Sequence, residues 1–259
     1  MYFDSHAHLD DRRFAEDRQE IFADLRQAGF RGIMNVGCDL ASSQRSIALA
    51  EEYDFVYASV GSHPDDADHV DGKLLDQYRQ MATHPKVLAI GEIGLDYHYE
   101  DVPRSQQIIA FEEQMDLAEA LDLPVIVHMR EAVEDAMAVV KRHPKVTGVF
   151  HCFSGSAELA KWLVERGWYV GFTGVLTFKN ARRALEAAQA IPLERILLET
   201  DCPYMAPEPF RGRRNDSRYL PYMAAKLAEL KGITPEEAAK QTAENAQRLF
   251  RIKREKTEK

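Results

Sequence analysis

The chain has 259 residues, 45% of them hydrophobic and 29% charged, and carries a formal net charge of −9. A chain of this size and composition can bury a large core without covalent staples. The acidic balance argues against the broad basic surface of a high-affinity duplex-DNA binder, yet leaves a nucleic-acid substrate open, because a catalytic pocket needs only local positive charge.

The first apolar run begins at Tyr2 and ends in His6-Ala7-His8. An amphipathic stretch follows over 18–28, with Ile21, Phe22, Leu25 and Ala28 at helical spacing. Strand-like runs then begin at Gly32, Phe55, Val87, Pro124, Val146, Tyr169 and Arg195. Helix-like periodicity separates them, over 41–52, 73–82, 105–120, 131–142, 157–166 and 181–190. The runs VLAIG, PVIVH, VTGVFH and RILLET are continuously apolar, as parallel strands buried on both faces should be. Two more helices are expected near 219–231 and 235–250. The second has Thr234 at a cap position, Pro235 just inside and Glu237 three residues after the cap.

Strict strand–helix alternation predicts an α/β fold: a single (β/α)8 TIM barrel with an additional C-terminal helix, one domain over 1–259. An open doubly wound sheet is the alternative, but no G-x-G-x-x-G follows the first strand. The closing KREKTEK reads as a frayed, solvated tail. Cys38, Cys152 and Cys202 have no regular spacing, so they suggest a reducing compartment rather than a disulfide framework. No apolar run approaches transmembrane length, and the opening MYFDSHAHLDD lacks a basic start and an apolar signal core. The expectation is a cytoplasmic protein without membrane association or an obligate protein partner.

The chemistry sits where strands end. Residues two apart in a strand share a face, so His6 and His8 can reach one cation. Strand four ends in Gly91-Glu92, strand five in His128, strand six in His151 and strand eight in Glu199-Thr200-Asp201. A parallel barrel gathers the C-terminal ends of its strands at one mouth, where barrel active sites lie. Imidazole with carboxylate suits Zn²⁺, Mn²⁺ or similar cations. Glu92 has two oxygens and could bridge two ions, which together activate water and hold both oxygens of an ester.

The segments DSHAHLDD, VGSHPDD, IGEIGLDYH, PVIVHMR, VFHCFSG and LLETDCPYMAPEPFRGRRND, running from residue 4 to about 216, resemble the TatD family of metal-dependent deoxyribonucleases within the amidohydrolase-like barrels. The resemblance implies two divalent cations, Zn²⁺, Mn²⁺ or Mg²⁺. His6, His8, Glu92 and Asp201 would hold one; Glu92, His128 and His151 would hold the other. Asp201 would also orient or deprotonate the attacking water, and Glu92 would bridge. The implied activity is cleavage of DNA phosphodiesters, 3′-to-5′ on single strands. Related barrels often bridge their metals with a carboxylated lysine at the end of strand four. Here Glu92 holds that place and no lysine is near it.

Further residues have two readings each. His63, in GSHP, either touches a substrate phosphate or shapes a turn with Pro64. Arg130 either contacts phosphate or pairs with a carboxylate. Arg211, Arg213 and Arg214 form either a phosphate site on the loop after strand eight or a solvated loop. Asp4 is either a partner of a ligand histidine or a buried structural carboxylate. Asp96, Tyr97 and His98 are expected at the rim in contact with substrate, and Phe153, Phe172, Tyr204 or Phe210 as stacking surfaces for bases. Cys152 and Cys202 are expected to pack away from the metals. His69, His84 and His143 are expected at the surface. The competing function is a binuclear-metal hydrolase of a small amide, lactone or ester, which the same ligands permit.

Overall fold

A computed structural model describes residues 1–99 and 101–252. The expected tail, KREKTEK, lies outside the described residues. Eight strands form one parallel sheet in sequence order: β1 (Tyr2–Ala7), β2 (Phe30–Val36), β3 (Val56–Val60), β4 (Val87–Asp96), β5 (Val125–Arg130), β6 (Gly148–Phe150), β7 (Tyr169–Phe172) and β8 (Ile196–Leu198). The seam closes where Asp201 N donates to His6 O (2.9 Å), His8 N to Cys202 O (2.9 Å) and Ser5 Oγ to Leu198 O (3.1 Å). The sheet is therefore a barrel.

The helices are α1 (Arg18–Gln27), α2 (Leu40–Glu52), α3 (Gly72–Met81), α4 (Arg104–Leu121), α5 (Val133–Arg142), α6 (Ala157–Glu165), α7 (Arg182–Ala190), α8 (Leu220–Lys231) and α9 (Pro235–Leu249). They match the helical periodicities within two residues, because each carries its own apolar stripe. At α9, Glu237 N donates to Thr234 Oγ1 (3.2 Å) and Thr234 N to Glu237 Oε2 (2.8 Å), the expected capping box.

The strands divide their side chains between two cores. Outward residues such as Ile33, Val56, Ile90, Val127, Val170 and Leu198 pack under the helices. Inward residues Phe3, Met34, Ala89, Ile126, Val149, Tyr169 and Leu197 fill the barrel, and α9 closes it with Ala243, Ala246 and Leu249. This packing plugs the N-terminal end and leaves the C-terminal mouth for polar groups.

Alternation carries inward residues to the mouth on three strands: Ile126 to His128, Val149 to His151, and Leu197 to Glu199; Asp201 follows β8 with φ +53°. On β1 and β4 it does not. Phe3 and Ser5 already face inward, since Ser5 Oγ meets Glu199 Oε2 at 3.3 Å, yet His6 faces inward too. The pairing register shifts between Asp4 and Ala7, and again between Ile90 and Ile93. These bulges turn His6 and Glu92 into the barrel. Just beyond, Gly94 (φ +136°) lies where a Cβ would run into the carbonyl of His128 on the neighbouring strand. Among the described residues, no helix is long and apolar enough to cross a membrane.

Candidate metal centre

At the mouth, His6 Nε2 lies 3.1 Å from His8 Nε2 and 3.4 Å from Glu92 Oε2. Asp201 Oδ1 stands 3.6 Å from His8 Nε2 and 3.8 Å from His6 Nε2. The second Glu92 oxygen faces another group: Oε1 is 2.6 Å from His151 Nε2 and 3.1 Å from His128 Nδ1, and those nitrogens are 3.2 Å apart. His63 Nε2 approaches the same oxygen at 3.8 Å. Ligands about 2.1 Å from a tetrahedral cation are about 3.4 Å from one another, close to these separations.

Proton placement tests the fit. His8 Nδ1 faces the carbonyl of Val36 (3.0 Å) and donates its proton there, so the neutral ring presents Nε2 as a lone pair to the mouth. His128 Nε2 faces Asp96 Oδ2 (2.9 Å), which leaves Nδ1 bare toward Glu92 and His151. His151 Nδ1 faces Glu199 Oε1 at 3.6 Å, beyond a hydrogen bond, and His6 Nδ1 has no protein partner. Lone pairs thus point at lone pairs and carboxylate oxygens around buried Glu92. Positive charge between them relieves this, either as protons on the imidazoles or as divalent cations, which the imidazole nitrogens and hard oxygens fit. In the metal-free protein protons on the imidazoles supply part of that charge, and a bound cation would displace them. Burial opposes ionisation of Glu92, but His151 and His6 overcome it and hold its carboxyl well below the usual range. Burial likewise opposes a charged His151, but Glu92 and Glu199 raise it well above the ordinary value.

The surroundings hold the donors in place. Asp96 is buried against His128 rather than waiting at the rim, as its loop position had suggested. Tyr97 is likewise committed, its hydroxyl donating to Asp135 Oδ2 (2.7 Å), whereas His98 is exposed beside Glu131. Glu199 is fully buried inside the barrel and accepts from Cys152 N (2.5 Å). Gly171 makes room for it, since a Cβ there would stand 2.5 Å from Glu199 Oε2. Asp4 proves to be a buried cross-link: it accepts from Thr200 N (2.9 Å), Thr200 Oγ1 (2.5 Å) and Ser217 Oγ (2.7 Å). Burial pushes its pKa up to about 7 against the pull of those hydrogen bonds.

Cys38 lies beside the site without any sequence signal to announce it. Its Sγ is 3.5 Å from Glu92 Oε2 and 3.8 Å from His8 Nδ1. Burial pushes the thiol up to about 11, so it meets the carboxylate as a neutral donor. Cys202 is fully buried, and Cys152 Sγ rests 3.7 Å from Thr173 Oγ1. Phe153 and Phe172 are core residues, so neither offers a face to a base; Tyr204 is exposed, and Phe210 stacks on Tyr219. Arg130 lies over Tyr99 and Arg211 over Phe178, with Arg213 exposed nearby in sequence. Arg214 is not available to a phosphate, being bound to Asp17 and the carbonyl of Arg13. His143 is buried, with Nε2 3.1 Å from Asp116 Oδ1, contrary to its expected surface position; His69 is exposed and His84 partly so.

Comparison with known proteins agrees with this geometry. The chain is 43% identical to an uncharacterized metal-dependent hydrolase, YabD, of Bacillus subtilis, over 97% of this chain and all of the relative. It is 35% identical to a protein named 3′-5′ ssDNA/RNA exonuclease TatD in Erwinia tasmaniensis, over 96% of this chain and all of that one. The crystal structure of YJJV, a TatD homolog of Escherichia coli K12, superposes with a TM-score of 0.91 at 32% identity, covering 97% of this chain and 98% of that one. The family profile for TatD-related DNases matches residues 3–251. The chain belongs to the TatD-related DNase family, with the barrel and the metal-type donor cluster that its sequence suggested.

Proposed function

We propose that the chain is a phosphodiesterase that degrades single-stranded DNA from its 3′ end. In this reading His6, His8, Glu92 and Asp201 hold one divalent cation, and Glu92, His128 and His151 hold a second. The observation that carries it is Glu92, whose two oxygens each face a separate pair of imidazole nitrogens. The name of the Erwinia relative supports the substrate and polarity. A cytoplasmic location fits three unpaired cysteines.

Bound divalent cations supply Lewis acidity toward a phosphate oxygen and let a water deprotonate near neutral pH. The protein's own groups do the rest. Asp201 has a side chain 13% exposed, against 5% for Glu92, so a water entering the mouth meets Asp201. Burial opposes ionisation of Asp201, but His8, His6 and His151 outweigh it and lower its pKa. It is therefore charged and able to accept the proton of the attacking water. His63, beside Glu92 and His128, offers an N–H to a non-bridging oxygen. Arg130, Arg211 and Arg213 add positive charge on the loops beyond the strands, where the phosphates of the strand are negative.

The test is hydrolysis of end-labelled single-stranded DNA by protein stripped with chelator and reloaded with Mn²⁺ or Mg²⁺. The expected result is metal-dependent shortening from the 3′ end. Intact DNA together with turnover of a small amide, lactone or carboxylic ester would replace this reading with the competing one.

A further inference from the structure

We propose that two tyrosine–arginine pairs on opposite sides of the mouth, Tyr204 with Arg13 and Tyr99 with Arg130, are stacking subsites for bases of a single strand whose backbone crosses the metal centre; this rests on the phosphodiesterase reading above. Tyr204 is 52% exposed and Tyr99 51%, unusual for rings of this size. Arg13 Cζ stands 4.5 Å from the centre of the Tyr204 ring, and Arg130 Cζ 5.3 Å from that of Tyr99. Each pair therefore combines an open aromatic surface with a cation, the combination that binds a base and its phosphate together.

Topology places the pairs across from each other. Tyr204 follows β8 and Arg13 follows β1, so their pair spans the β8–β1 seam. Tyr99 follows β4 and Arg130 ends β5, so theirs spans the β4–β5 seam. In a closed barrel with strands in sequence order, these seams are diametrically opposed. The donor cluster lies between them. Tyr204 N donates to Asp201 O (2.9 Å), which ties one pair to the wall holding His6, His8 and Asp201. Tyr99 follows His98, whose N donates to Asp96 Oδ1 (2.8 Å), and Asp96 holds His128 on the other wall.

The Arg13–Tyr204 pair is held in place by a further contact. Asp11 grips Arg13 with two oxygens, at 3.0 Å to Nε and 2.9 Å to Nη2, and this fork sets the guanidinium over Tyr204. The Asp11 carboxylate balances the charge of Arg13, so this pair offers a fixed flat surface more than net positive charge. A duplex presents no free base faces, since its bases already stack on one another. A single strand does, and an aromatic face accepts any base.

The test uses an Asp201→Asn background loaded with Mn²⁺, so that bound DNA persists. Binding is measured by fluorescence anisotropy with a labelled oligothymidylate and with an abasic oligonucleotide of the same length. Tyr204→Ala and Tyr99→Ala should each weaken oligothymidylate binding roughly 5- to 140-fold. Binding of the abasic strand should stay within about twofold, because its phosphates still meet the same charges. Tyr204→Phe and Tyr99→Phe keep the ring and should bind like the parent. Unchanged oligothymidylate binding in both alanine variants overturns the proposal, as does equal loss for both probes. If those variants bind normally while the chain with Asp201 intact still cleaves DNA, only the stacking subsites fail. If the chain with Asp201 intact neither binds nor cleaves the oligothymidylate, the phosphodiesterase reading fails and takes the subsites with it.

Discussion

Glu92 should couple two cations, and that coupling can be read as heat stability. The perturbation is the loading of chelator-stripped protein with Zn²⁺ or Mn²⁺, in wild type, His8→Ala and Glu92→Gln. A cation at a hundred times its Kd stabilises the folded state by about 2.7 kcal/mol per site, so two sites contribute about 5 kcal/mol. For a chain of this size each kcal/mol moves Tm by about 2–4 °C, which predicts a rise of about 10–20 °C on loading. His8→Ala removes a donor from one group only, since His8 Nε2 lies 3.9 Å from Glu92 Oε2 and touches nothing in the His128–His151 pair. It should keep about half the rise. Glu92→Gln removes the charge that both groups share and should lose nearly all of it. Differential scanning calorimetry gives the shifts, and elemental analysis of dialysed protein gives the stoichiometry: two ions per chain, one for His8→Ala and fewer than one for Glu92→Gln. A full shift in Glu92→Gln, or loss of both ions in His8→Ala, would refute the shared-carboxylate geometry.

Asp201→Asn should lower kcat on single-stranded DNA by roughly 10²–10⁴, the usual worth of a general base, while its urea midpoint stays near that of wild type when both are metal-free; unchanged kcat removes Asp201 from that role. Glu199→Gln leaves His151 Nδ1 facing a neutral amide, and should weaken Zn²⁺ binding about 10- to 100-fold by titration calorimetry without moving the far-ultraviolet circular dichroism spectrum; wild-type affinity would show that Glu199 serves only packing. Asp4 has a folded pKa raised to about 7, so it favours folding when protonated. Its contribution is fully present below about pH 4 and is lost as pH rises to about 7, a change on the order of 4 kcal/mol. Denaturant midpoints across that range should therefore fall less steeply in Asp4→Asn than in wild type when both are metal-free. Parallel curves would show that Asp4 does not titrate there.

How much could be read from the chain alone depended on how local each signal was. Helix stripes and apolar strand runs are repeats over a few residues, so the element order, the barrel and the α9 capping box were legible. His128 and His151 were legible too, because each continues the alternation from an inward apolar residue, whereas Asp201 lies past the end of β8 with φ +53° and was found by residue type and position. His6 and Glu92 were found by residue type and position, but their aim depends on bulges that strict alternation does not contain.

Other features have no local signature. Cys38 reaches Glu92 from 54 positions away, and nothing around it distinguishes a thiol at the site from one in the core. Phe153, Phe172, Tyr99 and Tyr204 are alike as aromatic residues near strand ends, yet two are core and two are half exposed. Asp96 looked like a rim residue until β4 and β5 were laid side by side and it met His128.

The amino-acid sequence by itself settled which secondary elements form, in what order, and which chemical groups end the strands, because backbone periodicity and residue chemistry are properties of short segments. Barrel closure decided the rest. Bringing Asp201 N to His6 O joins groups nearly two hundred residues apart, and only then do His6, His8, His128 and His151 gather around the carboxylate of Glu92. Such contacts depend on the packing of the whole sheet, which no short stretch of chain encodes.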